Sequence, residues 1–223
     1  MSSYRAPGGP HIIVVCTANA IRSPFVENLL RERLTRRGLS GIELESAGTA
    51  ARPGGPAEEG ARALARAHGV SLDAHRTRRL DERMLRENSA VLCAERAHRR
   101  VVLGMRPDLV GAVFTIREFA RLLDIARPAG SLNEWSSVLS ATARARFGDR
   151  HVSASEDDIL DPIGQDAPVW AAFERQATSA VDIIVEAMAG LAQPGTDGGS
   201  SARPTTRREY RAATRASAHE TRV

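Results

Sequence analysis

Four short apolar runs alternate with segments of helical period, and that alternation restricts the chain to a layered parallel α/β fold. The runs are His11–Val15, Ile42–Glu45, Ala90–Ala94 and Ala112–Thr115. Short runs of this kind, bounded by Gly and Pro, read as buried strands. Pro24 suits a first helical turn; Phe25, Leu29 and Leu30 then recur at helical spacing, and the segment closes at Gly38. Residues 57–68, with Leu64 on one face, end at Gly69 in the manner of a glycine-capped helix. Ala97–Met105 reads as a helix that stops before Pro107, and Ile116–Ile125 returns to helical spacing. Val169–Leu191 places Phe173, Ala177, Ala180, Ile184 and Met188 three or four residues apart.

The expected fold is a single α/β domain over 11–191, with a central four-stranded parallel sheet and helices on both faces. Residues 1–10 read as a flexible N-terminus, 127–155 as an insertion or partly helical excursion, and 192–223 as a disordered basic tail.

Charge narrows the function. All 31 basic residues are arginine, and the net charge is +4. The arginines are interspersed with acids, as in Arg31-Glu32-Arg33 and Asp81-Glu82-Arg83. That is the pattern of solvated helix faces, so no specific nucleic acid is expected as a partner. The abundance of Arg and Ala points to GC-rich coding and a bacterial source. Two cysteines 77 positions apart form no disulfide framework. No apolar stretch near the N-terminus is long enough for a signal core or a membrane span. The expectation is a cytoplasmic protein with no membrane association; the oligomeric state is not legible.

In open parallel sheets ligands bind at the carboxyl ends of the strands. The first strand ends at Val15, so the next residues enter that position: Cys16, Thr17, Ala18, Asn19, Ala20, Ile21, Arg22, Ser23, Pro24. Five residues between Cys16 and Arg22 can wrap so that their N–H groups point inward. Such a nest, backed by a helix N-terminus, binds a tetrahedral anion. Arg22 closes the ring with a planar fork matching two phosphate oxygens. The same field favours the thiolate of Cys16, the attacking form. Thiolate attack on phosphorus requires a proton for the leaving oxygen. Asp161, stiffened by Pro162 just ahead of the last helix, is the favoured source; Asp157, Asp158 and Asp166 compete in sequence. Cys93, inside an apolar run, reads as core, and His75 as a brace between loops. His and Cys do not cluster at ligand spacing and no nucleotide fingerprint is present, so neither metal nor cofactor is expected.

At these residues the chain resembles the low-molecular-weight protein tyrosine phosphatases, which carry a Cys-x5-Arg-Ser-Pro loop and a later Asp-Pro loop. Further landmarks of that resemblance are Ser46-Ala47-Gly48-Thr49, Gly69 through Leu72-Asp73 and His75 to Arg78-Arg79-Leu80, Ala97-His98-Arg99-Arg100, and Val113-Phe114-Thr115 through Glu118-Phe119. It covers roughly 11–190. It implies that Cys16 forms a phosphocysteine and that Arg22 binds phosphate and stabilises the transition state. Ser23 would hydrogen-bond the thiolate, Asn19 would brace the loop, and Asp161 would act first as acid, then as base. The substrate implied is a phosphorylated protein.

Four places depart from the family pattern. Ala18 stands where glycine is common, which matters only if that position needs a positive φ. Ile21 stands where a second cysteine is frequent. Ala20 supports neither a phosphotyrosine nor a phosphoarginine preference, and Ile163-Gly164 stands after Asp-Pro where tyrosine-directed members tend to carry aromatics, so one wall for a phosphotyrosine ring is missing or supplied elsewhere. Phosphotyrosine hydrolysis is the leading expectation. The alternatives are phosphoarginine hydrolysis, arsenate reduction, and a catalytically silent phosphate-binding module.

Overall fold

The computed structural model describes residues 9–149 and 154–192. Four strands, β1 (His11–Cys16), β2 (Glu43–Gly48), β3 (Ser89–Cys93) and β4 (Val113–Thr115), form one parallel sheet in the order β2-β1-β3-β4. Six helices accompany them: α1 (Arg22–Arg36), α2 (Glu59–Ala67), α3 (Arg96–Met105), α4 (Ile116–Ala126), α5 (Trp135–Ala145) and α6 (Ala167–Ala192).

Alternation along the strands divides the core in two. Ile12, Val14 and Cys16 face one layer, with Phe25 and Leu29 of α1, Phe119 of α4, and Phe173, Ala177, Ile184 and Met188 of α6. Ile13, Val15, Val91 and Cys93 face the other, beneath Val102 of α3. Helices thus cover both faces, five on the first and α3 on the second. All five positions named for the last helical stripe are buried.

Strand order reverses at β1, which is flanked by β2 and β3, so the crevice between the ends of β1 and β3 is the switch point of the fold. Cys16 stands at one lip and Ala94-Glu95 at the other.

Two stretches differ from expectation. The second strand begins one residue late and runs three residues further, to Gly48, paired with β1 up to Cys16↔Gly48. Its added residues are Ser46, Ala47 and Gly48, and at Gly48 the loop after β1 lies directly on the strand. A Cβ on Gly48 would stand 2.5 Å from the Thr17 carbonyl oxygen and 2.8 Å from the Asn19 nitrogen. The stretch 127–155, the least legible, contains a 3₁₀ turn (Leu132–Glu134) and then α5, whose Trp135, Val138 and Leu139 are buried in the main core. The expected N-terminal segment and basic tail lie outside the described residues except for Gly9, Pro10 and Ala192. Of these, Pro10 accepts a hydrogen bond from the Glu43 N–H at 2.9 Å and Ala192 ends α6.

Candidate active site

The loop between β1 and α1 is held by its carbonyls. Cys16 O accepts from Thr49 N, Thr17 O from Ala50 N, and Ala20 O from Glu58 N, each at 2.9 Å; Asn19 O accepts from His75 Nε2 at 2.8 Å. With these carbonyls committed to surrounding segments, Asn19 N–H turns into the loop and donates to Cys16 Sγ at 3.3 Å. The first turn of α1 adds to this, since Ile21 precedes the helix and supplies no side-chain cap. His75 is therefore a brace, in keeping with its sequence context.

Asn19 is the keystone. It adopts φ +55°, a left-handed conformation that costs most side chains energy and asparagine less. Ala18 is not among the positive-φ residues, so its methyl group is accommodated where relatives favour glycine. Every polar atom of the Asn19 side chain is used: Nδ2 donates to Ser23 Oγ and to Ser46 Oγ, both at 2.9 Å, and Oδ1 accepts from Arg78 N at 2.8 Å. Ser46 Oγ in turn donates to Glu27 Oε2 at 2.6 Å. Ser23 Oγ accepts from Asn19, and its own proton has two acceptors in reach, Cys16 Sγ at 3.0 Å and the Ala47 carbonyl at 3.5 Å. Ile21 lies in the core and Ala20 is half-buried.

Arg22 is 2% exposed and reaches back over the loop. It pairs with Glu95, donates to Asp161 Oδ2 at 2.6 Å, and reaches Ile159 O and Thr17 Oγ1 at 3.4 Å each. Asp161, distant in sequence, is thus brought to the loop that holds Cys16, Asn19, Arg22 and Ser23.

The three rival aspartates are engaged elsewhere. Asp157 pairs with Arg121 at 2.5 Å, Asp158 accepts from Arg96 N at 2.8 Å, and Asp166 accepts from Val169 N at 3.3 Å in the first turn of α6. Asp161 is tied into an Asx turn by Ile163 N at 3.2 Å, and Ile159 N anchors the segment to Ala94 O at 2.8 Å. Ile163 is 56% exposed beside it.

Cys93 is fully buried and in register with Val15, so its side chain shares Val15's layer, opposite that of Cys16. Burial pushes its thiol far above the ordinary value.

Sequence alone assigns no role to Glu95, Glu27 or Ser46, and marks His98 only as part of a landmark. His98 is buried at the start of α3; Nδ1 accepts from Glu95 N at 3.1 Å and Nε2 meets Thr17 Oγ1 at 2.8 Å. Burial first, and the Arg22 guanidinium second, lower its pKa below that of an ordinary imidazole. The available signal was Glu95-x-x-His98 directly after a strand end, a spacing that allows reciprocal capping. Among the described residues no group of three or more His, Cys, Asp or Glu side chains is gathered to hold a metal ion, and no helix is long and apolar enough to cross a membrane.

Known proteins share the fold, and others share sequence with this chain. The crystal structure of the Erwinia amylovora tyrosine phosphatase AmsI superposes with TM-score 0.59 at 24% identity, covering 82% of this chain and 96% of that one. The YwlE arginine phosphatase from Geobacillus stearothermophilus gives TM-score 0.58 at 23% identity, over 79% and 91%. At these identities the likeness establishes the fold alone. Sequence carries the rest. The low molecular weight protein-tyrosine-phosphatase Etp of Escherichia coli K12 is 35% identical over 117 residues, 52% of this chain and 76% of its own length. A family model for low molecular weight phosphotyrosine protein phosphatases matches residues 11–144, from the first strand through nearly all of α5. That match takes in more than half of the chain, the loop from Cys16 to Ser23 included, and the chain belongs to the low molecular weight phosphotyrosine protein phosphatase family.

Proposed function

We propose that this protein hydrolyses phosphotyrosine in proteins through a phosphocysteine intermediate on Cys16. The observation that carries the reading is the convergence of Cys16 Sγ, the inward-facing loop, Arg22 and Asp161 at the switch point of the sheet. The anion nest and the Arg22 fork bind the phosphoryl oxygens and stabilise the charge that develops on them. Cys16 attacks phosphorus; the phosphorus–oxygen bond to the tyrosyl group breaks, and Asp161 delivers the proton that oxygen needs. Water, deprotonated by Asp161, then attacks the phosphocysteine, releasing phosphate and the thiolate, which the Ser23 hydroxyl receives. For its first task Asp161 must leave Arg22, and a phosphate that occupies the guanidinium fork provides the displacement. No metal or cofactor takes part in this scheme.

The cellular setting is the cytoplasm of a bacterium. A nucleophilic thiol must stay reduced, and Cys16 and Cys93 are both free. The opposed layers of the two cysteines disfavour arsenate reduction by a relay to a second cysteine, and leave only a route that uses an external thiol cofactor. Phosphoarginine hydrolysis uses the same loop and differs only in the wall around the leaving group, here Ala20 and Ile163. A substrate panel of p-nitrophenyl phosphate, a phosphotyrosine peptide, a phosphoarginine peptide, and arsenate with a thiol system separates these readings. The phosphotyrosine peptide should give the highest kcat/KM, with Cys16→Ser inactive throughout. Preference for phosphoarginine, or thiol-dependent arsenate turnover, overturns the proposal, and binding without turnover of any substrate reduces the protein to a silent phosphate-binding module.

A further inference from the structure

We propose that the Thr17 hydroxyl is an additional hydrogen-bond donor to the substrate's phosphoryl group, and that His98 is the positioning residue that aims it. The inference rests on the phosphatase reading of the site. Its basis is the proton inventory around Thr17. The Glu95 main-chain N–H can only donate, so His98 Nδ1, 3.1 Å away, accepts. A neutral ring then carries its proton on Nε2. Burial and the nearby Arg22 charge both keep the ring neutral. Nε2–H therefore donates to Thr17 Oγ1 at 2.8 Å.

Thr17 Oγ1 also receives Arg22 Nη2 at 3.4 Å. A hydroxyl has two acceptor sites and one proton. With both acceptor sites taken, the proton points away from His98 and Arg22. The same Arg22 nitrogen holds the Asp161 carboxylate at 2.6 Å, so the hydroxyl stands beside both the guanidinium fork and the acid. Phosphoryl oxygens gripped by Arg22 come to this place. Thr17 is exposed at the mouth of the loop, whereas Cys16 beneath it is 2% exposed, so the hydroxyl meets the incoming group without rearrangement of the core.

The test compares orthovanadate affinity and kcat/KM on p-nitrophenyl phosphate in Thr17→Val, Thr17→Ser, His98→Gln and the Thr17→Val/His98→Gln pair. Thr17→Val keeps the shape and removes the hydroxyl. It should weaken vanadate binding and lower kcat/KM by about ten- to a hundredfold, the range for a hydrogen bond to a charged group. Thr17→Ser should recover most of that loss. His98→Gln should weaken vanadate binding in the wild-type background and add nothing in the Thr17→Val background, because its action passes through the hydroxyl already removed. Additive losses would make His98 a structural residue only and overturn its part. Unchanged vanadate affinity in Thr17→Val overturns the whole inference, even if His98→Gln does not fold. A wild type inert toward p-nitrophenyl phosphate would instead defeat the phosphatase reading itself.

Discussion

Asp161 rests on Arg22, its Oδ2 accepting a hydrogen bond from Nη2 at 2.6 Å. The pair joins the loop before α6 to the loop after β1. Asp161 serves Arg22 as an acceptor in this arrangement, and under the proposed mechanism it exchanges that role for proton donation once substrate arrives. Asp161→Asn keeps the loop's shape and abolishes the proton. Single-turnover rates should fall little for p-nitrophenyl phosphate, a good leaving group, and much more for phosphotyrosine peptide. The larger loss should fall within the usual general-acid contribution of roughly 10²–10⁴-fold. Equal losses for both substrates would hand the proton to another group.

His98 gives the fold a pH dependence of known sign. Its folded-state pKa lies below the unfolded value of about 6.5, by burial and by Arg22, with Glu95, Asp161 and Asp158 pulling the other way. Between the two values the unfolded chain holds a proton that the folded chain does not, so stability rises with pH there. The contribution is complete above about 6.5 and is lost as pH falls through the folded value. Urea unfolding across about pH 5 to 7.5 should show this slope, and His98→Gln should flatten it. Identical slopes in the two proteins would remove His98 from the account.

Gly48 carries the loop on its bare Cα. Its missing Cβ would stand 2.5 Å from Thr17 O and 2.9 Å from Ala18 C, both main-chain atoms with no rotamer to yield. Gly48→Ala should destabilise the fold by about 1–3 kcal/mol, as overpacking does, and weaken vanadate binding at the same time. A thermal midpoint and a vanadate affinity both equal to wild type would show that the loop does not depend on this close approach.

Oxidation distinguishes the two thiols. Cys16 has Ile21, not a cysteine, beside Arg22, and Cys93 faces the opposite layer of the sheet. Mild peroxide should yield sulfenic and higher acids on Cys16, with no disulfide, by mass spectrometry. A dominant Cys16–Cys93 disulfide would contradict the layer assignment and restore a reductase mechanism.

The parts of the molecule legible in the sequence are those set by local pattern. The strand before Cys16 is a continuous apolar run, the α6 stripe repeats at three and four, and the Cys16–Ser23 loop carries its chemistry in consecutive residues. The features that escaped are set by tertiary contact. The far half of β2 is Ser46, Ala47 and Gly48, poor strand formers by composition, held in the strand by pairing with β1, with Gly48 kept bare by the loop above it. Glu95 and His98 act only because the end of β3 lies across the crevice from Thr17 and Arg22, 73 positions away in the case of Glu95 and Arg22. The α5 helix has a low density of large apolar residues, and its place is set by the burial of Trp135 and Val138 in the main core. Asp161 is separable from Asp157, Asp158 and Asp166 by its proline, yet the stronger discriminator is the set of partners that occupies each rival.

The central claim is that Cys16 carries phosphate during turnover, and trapping the intermediate tests it most directly. In the proposed mechanism Asp161 also activates the water of the second step, so Asp161→Asn should slow breakdown of a phosphocysteine formed from an aryl phosphate with a good leaving group. Acid quench of that variant in mid-turnover with ³²P-labelled p-nitrophenyl phosphate, followed by peptide mapping, reads the site of attachment. The account predicts label on the peptide containing Cys16, none on Cys93, and none in Cys16→Ser. Turnover without protein-bound label, or label that survives in Cys16→Ser, would contradict it.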